Sequence, residues 1–209
     1  MEIYLIRHPT PAVAGGICYG QTDLDITDSL PEEAAVIRRV LPNDIGAIHS
    51  SPLQRCTKLA GHLFPSRSVV LHKELMEIHC GEWEMRRWDD LPPEEIDPWM
   101  KDFVRVRIPG GENYLDLHER ATGCFKKILT RTDRPGADPA DGIAAIITHG
   151  GVIRSILSYI TGTPLAASFD AFTLRVGCVV KVSGREDSLQ YEILSNVSRE
   201  KERHKPSRF

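Results

Sequence analysis

The chain has 209 residues, 41 % apolar and 26 % charged, with a formal net charge of −3 and a pI near 6.2. That length supports one sizeable hydrophobic core, and the charge balance lacks the basic surplus of a nucleic-acid binder while leaving room for a local basic pocket. No run approaches the roughly 20 apolar residues that span a bilayer, so neither nucleic acid nor membrane is expected as a partner.

In chain order, residues 2–6 are a short apolar run that reads as a buried strand. It stops at Arg7-His8-Pro9, because Pro9 cannot donate to a ladder. Residues 9–27, with Gly15, Gly16 and Gly20, form a long irregular loop, a feature that is often functional in compact domains. Residues 31–41 have helical spacing, and Ala47-Ile48-His49 is a short strand. Ser51 is the expected N-cap and Pro52 the first residue of a helix running to about Phe64. Val69–Leu71 is a third strand. Residues 72–111 hold Trp83, Trp88 and Trp99 and read as loops and short helices, with an insertion at about 84–111 over one edge of the core. The tryptophans either line an entrance or pack the insertion.

Residues 112–132 repeat apolar positions at helical spacing. Ile143–Ile147 is a continuous apolar run that suits a central strand, and a helix is expected from Val152 to about Ile160. Residues 171–182 and 188–194 read as two late strands around a turn at Gly184. The alternation predicts an α/β fold with a mostly parallel sheet and helices on both faces, in one domain over 1–198. The charged tail 199–209 is expected to be disordered. Cys18, Cys56, Cys80, Cys124 and Cys178 are odd in number and lack Cys-x-x-Cys spacing. They read as reduced, buried thiols. Met1 to Arg7 does not resemble a signal peptide, which together with the thiols places the chain in the cytoplasm.

Two apolar strands end in histidine, one at Arg7-His8 and one at Thr148-His149. In open α/β sheets ligands bind beyond the carboxyl ends of the strands. The third strand end, Ser50-Ser51-Pro52-Leu53-Gln54-Arg55, brings Arg55 to the same edge. Arginine forks match phosphate oxygens, and a neutral imidazole is a competent nucleophile toward phosphorus. A leaving alkoxide needs a proton, and a carboxylic acid beside a bound dianion keeps one because like charge disfavours ionisation. Glu77 is the candidate acid. Glu82 and Glu84 lie close in sequence, and Glu77 is preferred to Glu82. No His-x-His or His-Glu-x-x-His spacing supports a metal site built from His8, His149 and Glu77. The other histidines, 49, 62, 72, 79, 118 and 204, read as structural or exposed.

These residues resemble the histidine phosphatase (phosphoglycerate-mutase-like) superfamily over roughly residues 3 to 160. Ile6-Arg7-His8-Pro9-Thr10 is similar to its Arg-His-Gly signature, with Pro9 in place of glycine. Tyr19-Gly20-Gln21-Thr22-Asp23 resembles the loop that follows it. Ser50 to Cys56 resembles the second arginine motif, Glu77 to Glu84 the catalytic-acid segment, Pro109-Gly110-Gly111-Glu112 the substrate-side loop, and Thr148 to Arg154 the second-histidine motif. The resemblance implies a three-layer α/β/α sandwich. It implies His8 as phosphohistidine nucleophile, Glu77 as proton donor, and Arg7, Arg55 and His149 around the phosphate. Thr10, Tyr19, Gly20, Gln21 and Gly150 fall on the substrate side. No metal and no cofactor are implied. Compact length and the Gly81-Glu82-Trp83-Glu84 segment resemble the alpha-ribazole phosphatases of cobalamin synthesis, with a small phosphomonoester as substrate. A mutase-type phosphotransferase and a non-catalytic phosphate-binding module of the same fold remain the alternatives. A dimer is left open.

Overall fold

Glu2–Arg7 forms strand β1, buried at every residue after Glu2, as expected for an apolar run covered on both faces. The computed structural model, which describes residues 1–132, 142–185, 187–197 and 205–207, adds β2 (Ala47–Ser50), β3 (Val70–Leu71), β4 (Ile143–Thr148), β5 (Val179–Ser183) and β6 (Gln190–Ser195). One sheet results, in the order β3-β2-β4-β1-β5-β6. The β1–β4, β2–β4 and β2–β3 pairs are parallel, while β5 pairs antiparallel with both β1 and β6. The sheet is mostly parallel with an antiparallel edge.

The helices are α1 (Leu30–Arg38), α2 (Gln54–Leu63), α3 (Pro93–Lys101), α4 (Tyr114–Thr132), α5 (Gly150–Thr161) and the single turn α6 (Ser168–Ala171). The pleat sorts the strand side chains between two layers. Ile3, Leu5, Ala144 and Ile146 join Phe125 and Leu129 of α4 and Ile153 and Leu157 of α5. Tyr4, Ile6, Ala145 and Ile147 join Ile37 of α1 and Leu59 of α2 on the other face. Each such large side chain contributes about 1.5–3 kcal/mol on full burial. This is the expected α/β/α sandwich.

A third, smaller cluster holds the insertion against the long first loop. It contains Cys18, Cys80, Trp83, Trp88, Leu91, Ile96 and Ile108. Trp83 and Trp88 are buried there edge to face, 6.4 Å apart, and Trp83 Nε1 donates to Glu95 at 2.8 Å. These two tryptophans therefore pack the insertion. All five cysteines are buried and free of disulfides.

Several boundaries differ from the sequence reading, among them the start of α5, which lies at Gly150 rather than Val152. Helix α2 begins at Gln54, with Leu53 rather than Ser51 as N-cap. Asp23, from the distant first loop, accepts the Gln54 amide at 2.7 Å, and Ser51 is used elsewhere. The expected strand 171–182 shrinks to β5, because Phe172–Cys178 turns through Gly177 at φ 67° and offers the Leu174 carbonyl to Arg7. The first helix stops at Arg38 rather than 41. Of the tail, Pro206 is buried and Ser207 donates through its amide and hydroxyl to Asp89 at 2.6 and 2.9 Å. Residues 199–204, 208 and 209 lie outside the described residues.

Candidate active site

Register explains why the two histidines meet. Arg7 stands opposite Thr148 in the parallel β1–β4 pair, so the next residue of each strand is a histidine at the same edge. The chain then leaves β1 toward α1 and β4 toward α5, on opposite faces of the sheet. A crevice opens where two neighbouring parallel strands diverge in this way. His8 and His149 sit in it with ring centroids 5.1 Å apart, both buried. The third parallel strand, β2, brings Ser51 alongside, and its amide donates to the Ile147 carbonyl at 2.9 Å.

His8 Nδ1 lies 2.8 Å from the Pro9 carbonyl oxygen. A carbonyl only accepts, so Nδ1 carries a proton, and in the neutral ring Nε2 carries the lone pair. Pro9 lacks the amide of a glycine but keeps the group that sets this tautomer. His149 Nε2 is 2.8 Å from Ser51 Oγ, while its Nδ1 is buried without a hydrogen bond among the described residues. Burial holds the His149 imidazole well below its usual range, reinforced by Arg55, His8, Arg7 and Arg120. It is neutral at pH 7.

Arg7 donates to the Leu174 carbonyl at 2.7 Å. Arg55 is fully buried and holds the first loop, donating to the carbonyls of Gly20 at 2.6 Å and Thr22 at 2.8 Å. Its guanidinium carbon is 5.6 Å from the Tyr19 ring centre. Arg55 Nε, like His149 Nδ1, is buried with no partner among the described residues. A buried, unpaired guanidinium N–H such as Arg55 Nε calls for an acceptor.

Glu77 reaches the site through α5. Its carboxylate accepts the amides of Gly151 and Ile78, both at 2.9 Å. Gly151 lets the carboxylate approach this closely, since a Cβ would stand 2.3 Å from Glu77 Oε1 and displace it. Gly150 is tight but less so: a Cβ would lie 3.1 Å from side-chain atoms of both Arg7 and Arg154. Gly20 is buried against the Ile78 carbonyl, which a Cβ would meet at 2.0 Å. Gln21 donates through its side chain to the Glu77 carbonyl at 3.0 Å. The Thr10 amide is held by Glu33 of α1 at 3.0 Å, which anchors the base of the loop. Glu82 is exposed, with its amide on the Pro109 carbonyl.

Four residues near the site escaped the sequence reading or received no role in it. Glu84 accepts the amides of Gly20, Gln21, Thr22 and Cys80 and the Thr22 hydroxyl, at 2.5 to 3.1 Å. Burial alone would raise its pKa, but these bonds hold it below the usual carboxylate range. It is a loop anchor rather than an acid. Arg120 pairs bidentately with Glu112 at 2.8 Å and donates to the carbonyls of Glu74, Met76 and Glu77. Glu112 also accepts the His79 amide at 3.0 Å, so the pair straps the Glu77 segment to α4. Arg154 is buried beside Arg7, donates to the Phe172 carbonyl at 3.1 Å and stacks 4.6 Å over Phe169. Its position four residues after Gly150, on the same helix face, was the one available signal.

The model of the histidine phosphatase superfamily (branch 1) matches residues 3–197. The chain belongs to this family. Among curated relatives of this histidine phosphatase is the glucosyl-3-phosphoglycerate phosphatase of Mycolicibacterium vanbaalenii, 28 % identical over 78 % of this chain and 76 % of the relative. The adenosylcobalamin/alpha-ribazole phosphatase of Salmonella typhimurium is 25 % identical over 85 % and 88 %. Among solved structures, the alpha-ribazole phosphatase from Shigella flexneri superposes with a TM-score of 0.81 at 23 % identity, covering 94 % of this chain and 96 % of that one. The fold is therefore the phosphoglycerate-mutase-like one. No helix among the described residues is long and apolar enough to cross a membrane.

Proposed function

We propose that the chain is a phosphomonoesterase that works through a phosphohistidine. The observation that carries this reading is the 2.8 Å contact from His8 Nδ1 to the Pro9 carbonyl, which holds a proton on Nδ1 and, in the neutral ring, leaves the Nε2 lone pair for phosphorus. In the first step Nε2 attacks in line, the ester P–O bond breaks, and Glu77 gives its proton to the leaving oxygen. In the second step water attacks phosphorus, the P–N bond breaks, and Glu77 takes the water proton. Inorganic phosphate leaves and His8 returns neutral. Arg7, Arg55 and His149 stabilise the equatorial oxygens, the part of phosphoryl transfer that the protein influences most. Ser51 donating to His149 Nε2 leaves Nδ1–H for a phosphate oxygen. Neither step requires a metal.

The substrate in this reading is a small phosphorylated metabolite, with alpha-ribazole 5′-phosphate as the leading member. Relatives that carry that name support it, as does an aromatic run beside Arg154. Phe169 is partly exposed, stands 5.2 Å from Phe103, and Phe103 stands 6.0 Å from Trp99. A flat leaving group stacks on such rings. The free thiols support a cytoplasmic setting.

The test is rapid-quench labelling with an aryl phosphate, followed by a panel of phosphorylated metabolites that includes alpha-ribazole phosphate. An acid-labile, base-stable phosphoenzyme that His8→Ala abolishes is expected, with turnover down at least about 10³-fold. Hydrolysis by folded His8→Ala at the wild-type rate would sink the mechanism. A higher kcat/KM for a non-aromatic metabolite would sink the substrate assignment alone.

A further inference from the structure

His49, His72, Glu74 and Cys124 gather outside the His8 site. His49 lies in β2, His72 follows β3, Glu74 sits in the short 3-10 turn Lys73–Leu75, and Cys124 faces inward from α4. One donor atom each from His72, Glu74 and Cys124 lie within 4.8 Å of one another. We propose that these three side chains bind a borderline divalent cation of the zinc type, with His49 orienting His72.

The donor set is the first argument. Imidazole nitrogen, carboxylate oxygen and thiolate sulfur together select zinc-like ions over magnesium or calcium. Geometry is the second. Three atoms no more than 4.8 Å apart share a point at most about 2.8 Å from each, against about 2.0–2.3 Å for zinc bonds, so small rotamer shifts complete the site.

Support around the ligands is the third. His49 Nδ1 lies 2.9 Å from His72 Nε2. With the Nε2–H of His72 donated to His49, its Nδ1 presents a lone pair, the arrangement that orients most metal-bound histidines. The backbone is fixed too. The His72 amide donates to Ser50 at 2.9 Å, Arg120 holds the Glu74 carbonyl at 2.8 Å, and Thr148 Oγ1 holds the Leu75 carbonyl at 2.8 Å.

Binding displaces the thiol proton of Cys124: the S–H bond breaks, a metal–sulfur bond forms and H⁺ goes to solvent. Exposed Glu74 offers the way in from solvent.

The experiment uses the full chain in a His8→Ala background, which removes a competing imidazole, stripped with a chelator and titrated with Zn²⁺ and with Co²⁺. One ion per chain is expected, with about one proton released and a thiolate-to-Co²⁺ charge-transfer band. Cys124→Ser should abolish the band. His72→Ala and the surface change Glu74→Gln should each weaken Zn²⁺ at least about tenfold, and His49→Ala about 10- to 100-fold. A Co²⁺ spectrum without the thiolate band would overturn the proposal. So would Zn²⁺ affinity unchanged in Glu74→Gln, a variant that folds whether or not Cys124→Ser does. In the wild-type protein the chelator should leave phosphatase turnover in place, so failure here is separate from failure at His8.

Discussion

His8 Nδ1 donates to the carbonyl of its own neighbour, Pro9, across 2.8 Å. In the proposed mechanism this leaves Nε2 as the attacking atom, and the acceptor that sets it is a backbone group that every residue type possesses. Proline at this place thus costs the site an amide but not its tautomer.

The first prediction follows directly. Pro9→Gly keeps the carbonyl, so kcat should stay within about threefold of wild type. Stability should fall by about 0.4–1 kcal/mol, because glycine enlarges the unfolded ensemble. Steady-state kinetics and urea denaturation check both. A loss of a hundredfold in kcat would mean that the proline ring, not the carbonyl, orients His8.

Two glycines in helices should respond oppositely to alanine. A Cβ on Gly151 would stand 2.3 Å from Glu77 Oε1, whereas one on Gly123 of α4 meets nothing within 4 Å. Gly151→Ala must displace the carboxylate and should lower kcat by about 10²-fold or more, as expected when a proton donor is misplaced by about 1 Å. Gly123→Ala should leave kcat unchanged and raise stability by up to about 1 kcal/mol.

Glu84 links loop order to pH. Its folded pKa lies below the usual carboxylate value, so the unfolded state takes up protons first as pH falls. The stability it contributes is fully present above about pH 4.5 and is lost as pH drops through the folded pKa. Glu84→Ala leaves several loop amides without their acceptor and should cost about 3 kcal/mol, with KM raised more than kcat is lowered. Acid-titration midpoints should move less below pH 4.5 in Glu84→Gln than in wild type. Equal acid sensitivity in the two would remove Glu84 from this role.

Arg120 and Glu112 should behave as one unit. Lysine cannot reproduce the planar fork that grips Glu112 and three carbonyls at once. Arg120→Lys should therefore lower kcat by about 10-fold or more through the Glu77 segment, with KM little changed. Glu112→Gln combined with Arg120→Lys should cost less than the sum of the two singles in a double-mutant cycle. Strict additivity would show that the pair does not act through a shared strap.

Local chemistry carried much of this protein in its sequence. Apolar runs within 2–6 and at 143–147 placed two central strands, because the uninterrupted apolar stretches Ile3–Ile6 and Ile143–Ile147 suit strands covered on both faces. The positions of His8 and His149, each separated by one residue from the end of its run, placed them at strand ends before any contact was known. Helical periodicity likewise placed α4 and α5. What sequence could not supply was any relation between residues far apart along the chain. Register between β1 and β4 decided that His8 and His149 meet. A tertiary contact from Asp23 caps α2 at Gln54, and the Ser51 hydroxyl that local pattern assigned to the cap also meets His149. Glu84, Arg120 and Arg154 look like ordinary surface charges in sequence. Only folding buries them against loop amides, carbonyls and an aromatic ring, where an unpaired charge is too costly to persist and each becomes a fixed part of the site.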